Sequence, residues 1–330
     1  MYSSYFEDIA FGCCPCIVTT YAMGMYINNL HLKIPQIPPR PPFLKGGYRG
    51  ITNFHYILCL LRHECFIILL TLRIFVIIPQ KNTMFKTFRT EEIIILGKFL
   101  QEGLDRIIQK SSKIKDVASR IDFLSRNFLD LDYVESTLIG DINIPEVFMI
   151  NLKGVDCFTF IDYIEAMRLS GSFPEFKVNL RKVRYKSGIV AFENRNHFFT
   201  DWRDFNPDFV NDVTEKIRAK KTIRVQKTLN VKEDRTCFLP GIRPVQREII
   251  YIPSDAIDVS VLNKLRTGDY VGIYSTLKGL DVSHVGIIIE DGDKIYLRHA
   301  SSLKKHRKVV DQDFKNYIVG KPGIIVFRPI

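Results

Sequence analysis

From Thr90 onward the apolar positions recur first at helical and then at strand spacing. "TEEIIILGKFLQEGLDRIIQ" sets apolar residues three and four apart behind an N-cap Thr90 and two early acids, which predicts a helix. "IKDVASRIDFLSRNFL" predicts a second. After an irregular approach, "CFTFIDYIEAMRLSG" predicts a third, with Ile161, Ile164 and Arg168 on one stripe and Gly171 as its stop. "VRYKSGIVAFENRNHFFTDW" reads as two strands or a strand and a loop, and "FVNDVTEKIRAK" as a helix. "TIRVQKTLNV" and "REIIYIP" alternate as strands do, and "SDAIDVSVLNKL" is a capped helix. The end is strand-rich: "GDYVGIYS", "VSHVGIIIE", "KIYLRHAS" and "GIIVFRPI". Helices, a cysteine-bearing helix and then an antiparallel sheet define an α+β pattern.

Residues 1–83 follow no such period. "IPQIPPRPPFLKGGYRG" (Ile34 to Gly50) is rich in Pro and Gly and reads as loop. "CFIILLTLRIFVII" (Cys65 to Ile78) is apolar, is interrupted by Arg73, and is shorter than the roughly 20 residues of a membrane span. No small-residue cleavage site follows it. The expectation is a weakly ordered leader over 1–83, or an over-long start with Met84 as the true one, and a single domain over 84–330. Whether the apolar run touches a membrane stays open.

Composition changes this picture little. With 46% hydrophobic and 25% charged residues, the chain is an ordinary globular protein. Its net charge is +11, but the basic runs "RAKKTIR" and "LKKHRK" are short and lack interleaved aromatics, which argues against nucleic acid as a partner. Five of the seven cysteines fall in the first 65 residues; only Cys157 and Cys237 lie beyond, so the main body has no disulfide framework.

The candidate chemistry sits on three residues. "VSHVGIIIEDGDKIYLRHAS" has Asp291-Gly292 between two strand-like runs, a strong hairpin turn. A turn centred there pairs Glu290 with Asp293 and sets His284 directly opposite His299 on one face. Cys157, at the start of its helix, has the N-terminal amides to favour a thiolate. A cysteine nucleophile, His284 as base and His299 as the orienter of its tautomer form a coherent set, with the Cys157 N–H as an oxyanion donor. Other readings stand beside it. A lone helical cysteine is also an ordinary buried residue. The histidines could instead hold a metal with His197 or Asp281, although no HxH or HExxH spacing points to one. No metal or cofactor is expected.

The stretches "NLKGVDCFTFIDYIEA", "NRNHFFTDW", "LRTGDYVGIYS", "DVSHVGIIIE" and "LRHASS" resemble, in order, the NlpC-type papain-like cell-wall amidase and peptidase superfamily. More closely they resemble its N-acetylmuramoyl-L-alanine amidase-like branch, from about Leu129 to Pro329. The resemblance implies a papain-like core with Cys157 as nucleophile, His284 as base and His299 as third polar member. It implies a cysteine-dependent amidase that acts on peptidoglycan fragments (muropeptides), cutting the bond between N-acetylmuramic acid and L-alanine; the expected location is the periplasm or cell envelope. It also implies that Tyr133 lines the site, although its "FLDLDY" context departs from the usual Leu-Gly turn, and that Arg195, His197, Asp201 and Trp202 are candidate pocket residues. Asp156 reads as a helix cap beside the site. A D,L-endopeptidase cutting within the stem peptide would use the same three catalytic residues, and a non-catalytic muropeptide-binding module would keep the fold.

Overall fold

The computed structural model describes residues 91–330. The expectations for residues 1–83 and for a cap at Thr90 lie outside the described residues. In chain order the elements are β1 (Glu92–Ile95), α1 (Gln101–Ser112), α2 (Val117–Arg126), β2 (Asp132–Tyr133), β3 (Phe148–Asn151), β4 (Gly154–Val155), α3 (Cys157–Arg168) and α4 (Phe173–Arg184). They continue with α5 (Phe199–Phe205), β5 (Val210–Asp212), α6 (Thr214–Arg218), β6 (Ile223–Leu229), β7 (Val245–Pro253), α7 (Val259–Leu262), β8 (Tyr270–Tyr274) and β9 (Val282–Asp291). β10 (Lys294–Ala300), β11 (Val309–Asp313), α8 (Phe314–Ile318) and β12 (Gly323–Pro329) close the chain.

The architecture is α+β. One antiparallel sheet runs β11-β10-β9-β8-β12-β7-β6, with β5 also paired to β12. β1 with β3 and β2 with β4 make two small parallel pairs. The alternation of β9 divides its side chains between two apolar clusters. Val285, Ile287 and Ile289 pack with α3, whereas Ile288 packs with Leu297 of β10 and Phe314 of α8. Both faces of this sheet are therefore covered.

α3 is the central helix. Asp156 caps it, accepting from the N–H groups of Phe158 and Thr159, while Thr159 Oγ1 accepts from the Asp156 N–H to complete a capping box. The expected single stripe is corrected: all twelve residues are buried, because α2, α4 and the sheet surround the helix. Arg168 pairs with Glu165 within the helix, and Asp162 pairs with Arg184 of α4.

Three further expectations are revised. The first predicted helix is a strand followed by a helix: the β-branched Ile93–Ile95 run pairs with β3, and Gly97 at φ +57° breaks the chain before α1. The segment read as strands around Asn194 is the end of α4, a loop and the start of α5. The helix read in "FVNDVTEKIRAK" shortens to α6, since Val210–Asp212 joins β12 instead. Among the described residues no helix is long and apolar enough to cross a membrane.

Candidate active site

The β9–β10 hairpin does not turn where Asp-Gly spacing suggests. Asp291 pairs with Lys294, so the central residues are Gly292, at φ +59°, and Asp293. The glycine takes the first central position, the one that needs a positive φ. The register is displaced by two residues from the expected one. His299 consequently faces Gly286, and His284 lies on the diagonal. A two-residue displacement keeps every side chain on its face, so the imidazoles still meet. A Cβ at position 286 would come within 3.0 Å of His299 Cβ, so the bare glycine leaves the His299 ring room to lean across.

The two rings stand edge to face with centroids 4.7 Å apart, and His284 Nε2 is 2.6 Å from His299 Nδ1. His299 Nε2 is in turn 2.6 Å from Gln312 Oε1 on β11. An amide oxygen only accepts, so His299 donates from Nε2 and carries its lone pair on Nδ1. His284 must then donate from Nε2, which puts its own lone pair on Nδ1. The chain of hydrogen bonds thus fixes both tautomers and leaves His284 Nδ1 as the basic atom. Burial, then the neighbouring His299 and Lys321, hold His284 well below the usual histidine range. Burial pushes His299 down to about 4, against the hydrogen bond it donates to Gln312. Both are neutral at pH 7, as a base requires.

Tyr317 of α8 packs on the pair, at 5.1 Å from the His299 ring and 6.2 Å from that of His284. Beside them opens a cavity of about 400 Å³, walled by the end of β8 and the 275–277 segment, by Ser301–Leu303, and by Val319–Pro322. Lys227 anchors the first wall: its ammonium donates to the carbonyls of Leu277 (3.0 Å) and Leu280 (2.8 Å) and to that of Ser275. Gln312, Tyr317 and Lys227 escaped sequence reading. Gln312 lies on a strand reached through an eight-residue connection of no fixed geometry, and no local pattern sets its register.

Cys157 takes the first position of α3, where it is fully buried in the α3-side cluster. It does not line the cavity, and the histidines turn to the α8 side of the sheet. The two are linked through backbone. β4 runs straight into Asp156–Cys157; Tyr133 of β2 pairs with Val155, and its N–H donates to the Arg307 carbonyl of the 301–308 segment, whose start walls the cavity. Tyr133 is buried beside the α3 start under the Arg307 guanidinium, 4.8 Å from its ring centroid. Burial, the first cause, and the nearby Asp156 raise its hydroxyl. Asp156 is a cap, as expected, and burial raises its carboxyl. Cys157 is disulfide-bonded here, so any nucleophile is its reduced form.

The remaining candidates are buried. Arg195 pairs with Glu146, which also accepts from the Tyr185 hydroxyl. His197 Nε2 bonds the Phe192 carbonyl at 2.8 Å, and burial, with Arg195 adjacent, pushes it down to about 3. Asp201 accepts from the Phe198 N–H and Arg247, and burial lifts it to about 6. Trp202 packs edge-on against Tyr270 and Phe158. None of these four lines the cavity. Asp281 is engaged by the Thr200 N–H and hydroxyl.

The fold and this site define a mixed α+β protein built around a neutral, hydrogen-bonded histidine pair. The chain belongs to the AmiA-like family, described as N-acetylmuramoyl-L-alanine amidase-like, whose model matches residues 123–324. Among solved structures it is similar to an N-acetylmuramoyl-L-alanine amidase from Bacteroides uniformis, with 27% identity over 65% of this chain and 99% of that one and a TM-score of 0.57. A second amidase structure from the same organism gives 25% identity over 64% and 98%, with a TM-score of 0.53. A protein from Legionella pneumophila, 21% identical over 70% and 94% with a TM-score of 0.60, shares the fold. No curated protein matches the chain.

Proposed function

We propose that the chain is a cysteine-dependent amidase that hydrolyses the bond between N-acetylmuramic acid and L-alanine in muropeptides, on a papain-like core of the NlpC type. The family membership and the names of the similar structures support the substrate class. The observation that carries the chemistry is the His284–His299–Gln312 chain, which prepares one neutral imidazole nitrogen as a base. In this reading reduced Cys157 loses its proton to His284, and its thiolate attacks the lactyl carbonyl. The tetrahedral oxyanion is met by N–H groups at the start of α3. His284 returns the proton to the departing L-alanine amine, leaving a thioester. Water, deprotonated by His284, hydrolyses the thioester to the lactyl carboxylate and the thiol. His299 and Gln312 hold the ring of His284 throughout. Such a substrate implies the periplasm or cell envelope as the place of action.

The test is incubation with purified muropeptides under thiol reductant, with mass spectrometry of both products. Release of a peptide beginning with L-alanine is expected, abolished in Cys157→Ala and His284→Ala. New termini inside the stem peptide would establish an endopeptidase instead. Activity retained in Cys157→Ala but lost in His284→Ala would replace the thiolate with a base-activated water. Loss to a chelator with resistance to iodoacetamide would point to a metal.

A further inference from the structure

The cavity beside the histidines has a one-sided chemistry. Among the described residues that line it none is acidic, and Lys321 is its single permanent cation. Lys321 makes no ion pair among the described residues; its ammonium rests 5.7 Å from the Tyr317 ring centroid, and that ring is the one packed on both imidazoles. The Ser301–Leu303 wall of the same cavity holds Ser301, 1% exposed, whose hydroxyl has no hydrogen-bond partner among the described residues. Buried hydroxyls are seldom left so. The backbone of Ser301 is held in place, its N–H donating to the Lys308 carbonyl at 2.9 Å. Among the described residues, an ammonium without a counter-ion and a hydroxyl without an acceptor, in one cavity lined by no acidic side chain, suit a ligand that accepts hydrogen bonds and is negative. A carboxylate fits both.

We infer that the cavity is a carboxylate subsite, in which Lys321 and Ser301 hold a free carboxylate of the muropeptide stem peptide beside the histidine pair. That the carboxylate belongs to a stem peptide rests on the amidase reading; that the cavity takes a carboxylate does not. The subsite sets specificity: it favours stems with free acids over those whose acids are amidated.

Calorimetry tests this with the full chain carrying Cys157→Ala, so that ligand is not consumed. The two probes are an N-acetylmuramoyl dipeptide with free carboxylates and the same compound as its carboxamide. The acid should bind about ten- to a hundredfold tighter, the range of one charge-assisted hydrogen bond. Adding Lys321→Met should bring the acid to the level of the carboxamide and leave the carboxamide nearly unchanged, whereas Lys321→Arg should keep the preference. Ser301→Ala should weaken the acid by a few-fold without lowering the melting temperature. Equal affinity for the two probes, a preference that survives Lys321→Met, or no binding of either would overturn the subsite. Hydrolysis by the protein with Cys157 intact is scored separately. Preference without cleavage leaves the subsite standing and removes the amidase reading; cleavage without preference does the reverse.

Discussion

Replacing Gln312 interrogates the tautomer chain without touching either histidine. His299 is 1% exposed and donates from Nε2 to Gln312 Oε1 at 2.6 Å. In Gln312→Leu that buried N–H loses its acceptor, at about 1–3 kcal/mol. His299 can escape by moving its proton to Nδ1, but it then donates to His284 Nε2 and forces the proton of His284 onto Nδ1, the atom required as base. The base-competent arrangement is disfavoured by the same energy, so kcat should fall about 5- to 150-fold with KM little changed. Gln312→Glu separates this from simple packing loss. A carboxylate still accepts, so the tautomers survive, but the added charge favours imidazolium at His299. The acid limb of the kcat profile should move up by about one to three pH units, with near-normal activity at pH 8. Steady-state muropeptide hydrolysis from pH 5 to 9 reads both effects. Wild-type kcat and an unmoved acid limb in both variants would refute the tautomer argument.

Three other outcomes follow from the structure. Asp156→Ala removes both side-chain bonds of the α3 cap and should cost about 1–2 kcal/mol, read as a lowered urea midpoint at constant m. His299 is held at about 4 in the fold against 6.5 unfolded, so between those values the unfolded chain binds more protons; stability is intact above pH 6.5 and falls as pH drops toward 4, by about 3 kcal/mol for this group, and His299→Asn should flatten that slope in urea titrations. Lys227→Met leaves the carbonyls of Ser275, Leu277 and Leu280 without their common donor and should raise KM more than it lowers kcat; an unchanged KM would show that the cavity wall stands without it.

The sequence was legible where a local rule acted alone. β6 through β10 and β12 follow from two-residue alternation, and the α3 cap from Asp156 ahead of an apolar run. It was illegible where tertiary partners overrode local preference. Ile93–Ile95 has the spacing of a helix, yet its partner is β3, supplied from more than fifty residues away. Arg195, His197, Asp201 and Trp202 have the composition of a polar pocket, but Glu146, Phe192, Arg247 and Tyr270 satisfy or enclose them, and those partners follow no fixed spacing. Gln312 was invisible for the same reason.

The histidine pair survived a wrong turn because of the pleat. Centring the hairpin on Gly292-Asp293 displaced the register by two residues, and an even displacement conserves the face. Parity is therefore the robust part of such an inference, and the directly opposite partner the fragile part. Parity also marks its limit. It separates His284, Gly286 and Ile288 from Val285, Ile287 and Ile289, but both sets are compatible with burial, so alternation cannot assign a helix to either face. In the fold α3 covers the second set and α8 approaches the first. A peptide path runs from the α3 start through β4 and β2 to the 301–308 segment, whose first residues wall the cavity beside the histidines. The proposed cysteine mechanism then carries a specific requirement: it needs the thiol at the α3 start and His284 Nδ1 to meet, so if the 301–308 segment sets their approach, a substitution that loosens the Tyr133–Arg307 contact should depress kcat in muropeptide hydrolysis while leaving the His284–His299–Gln312 chain intact.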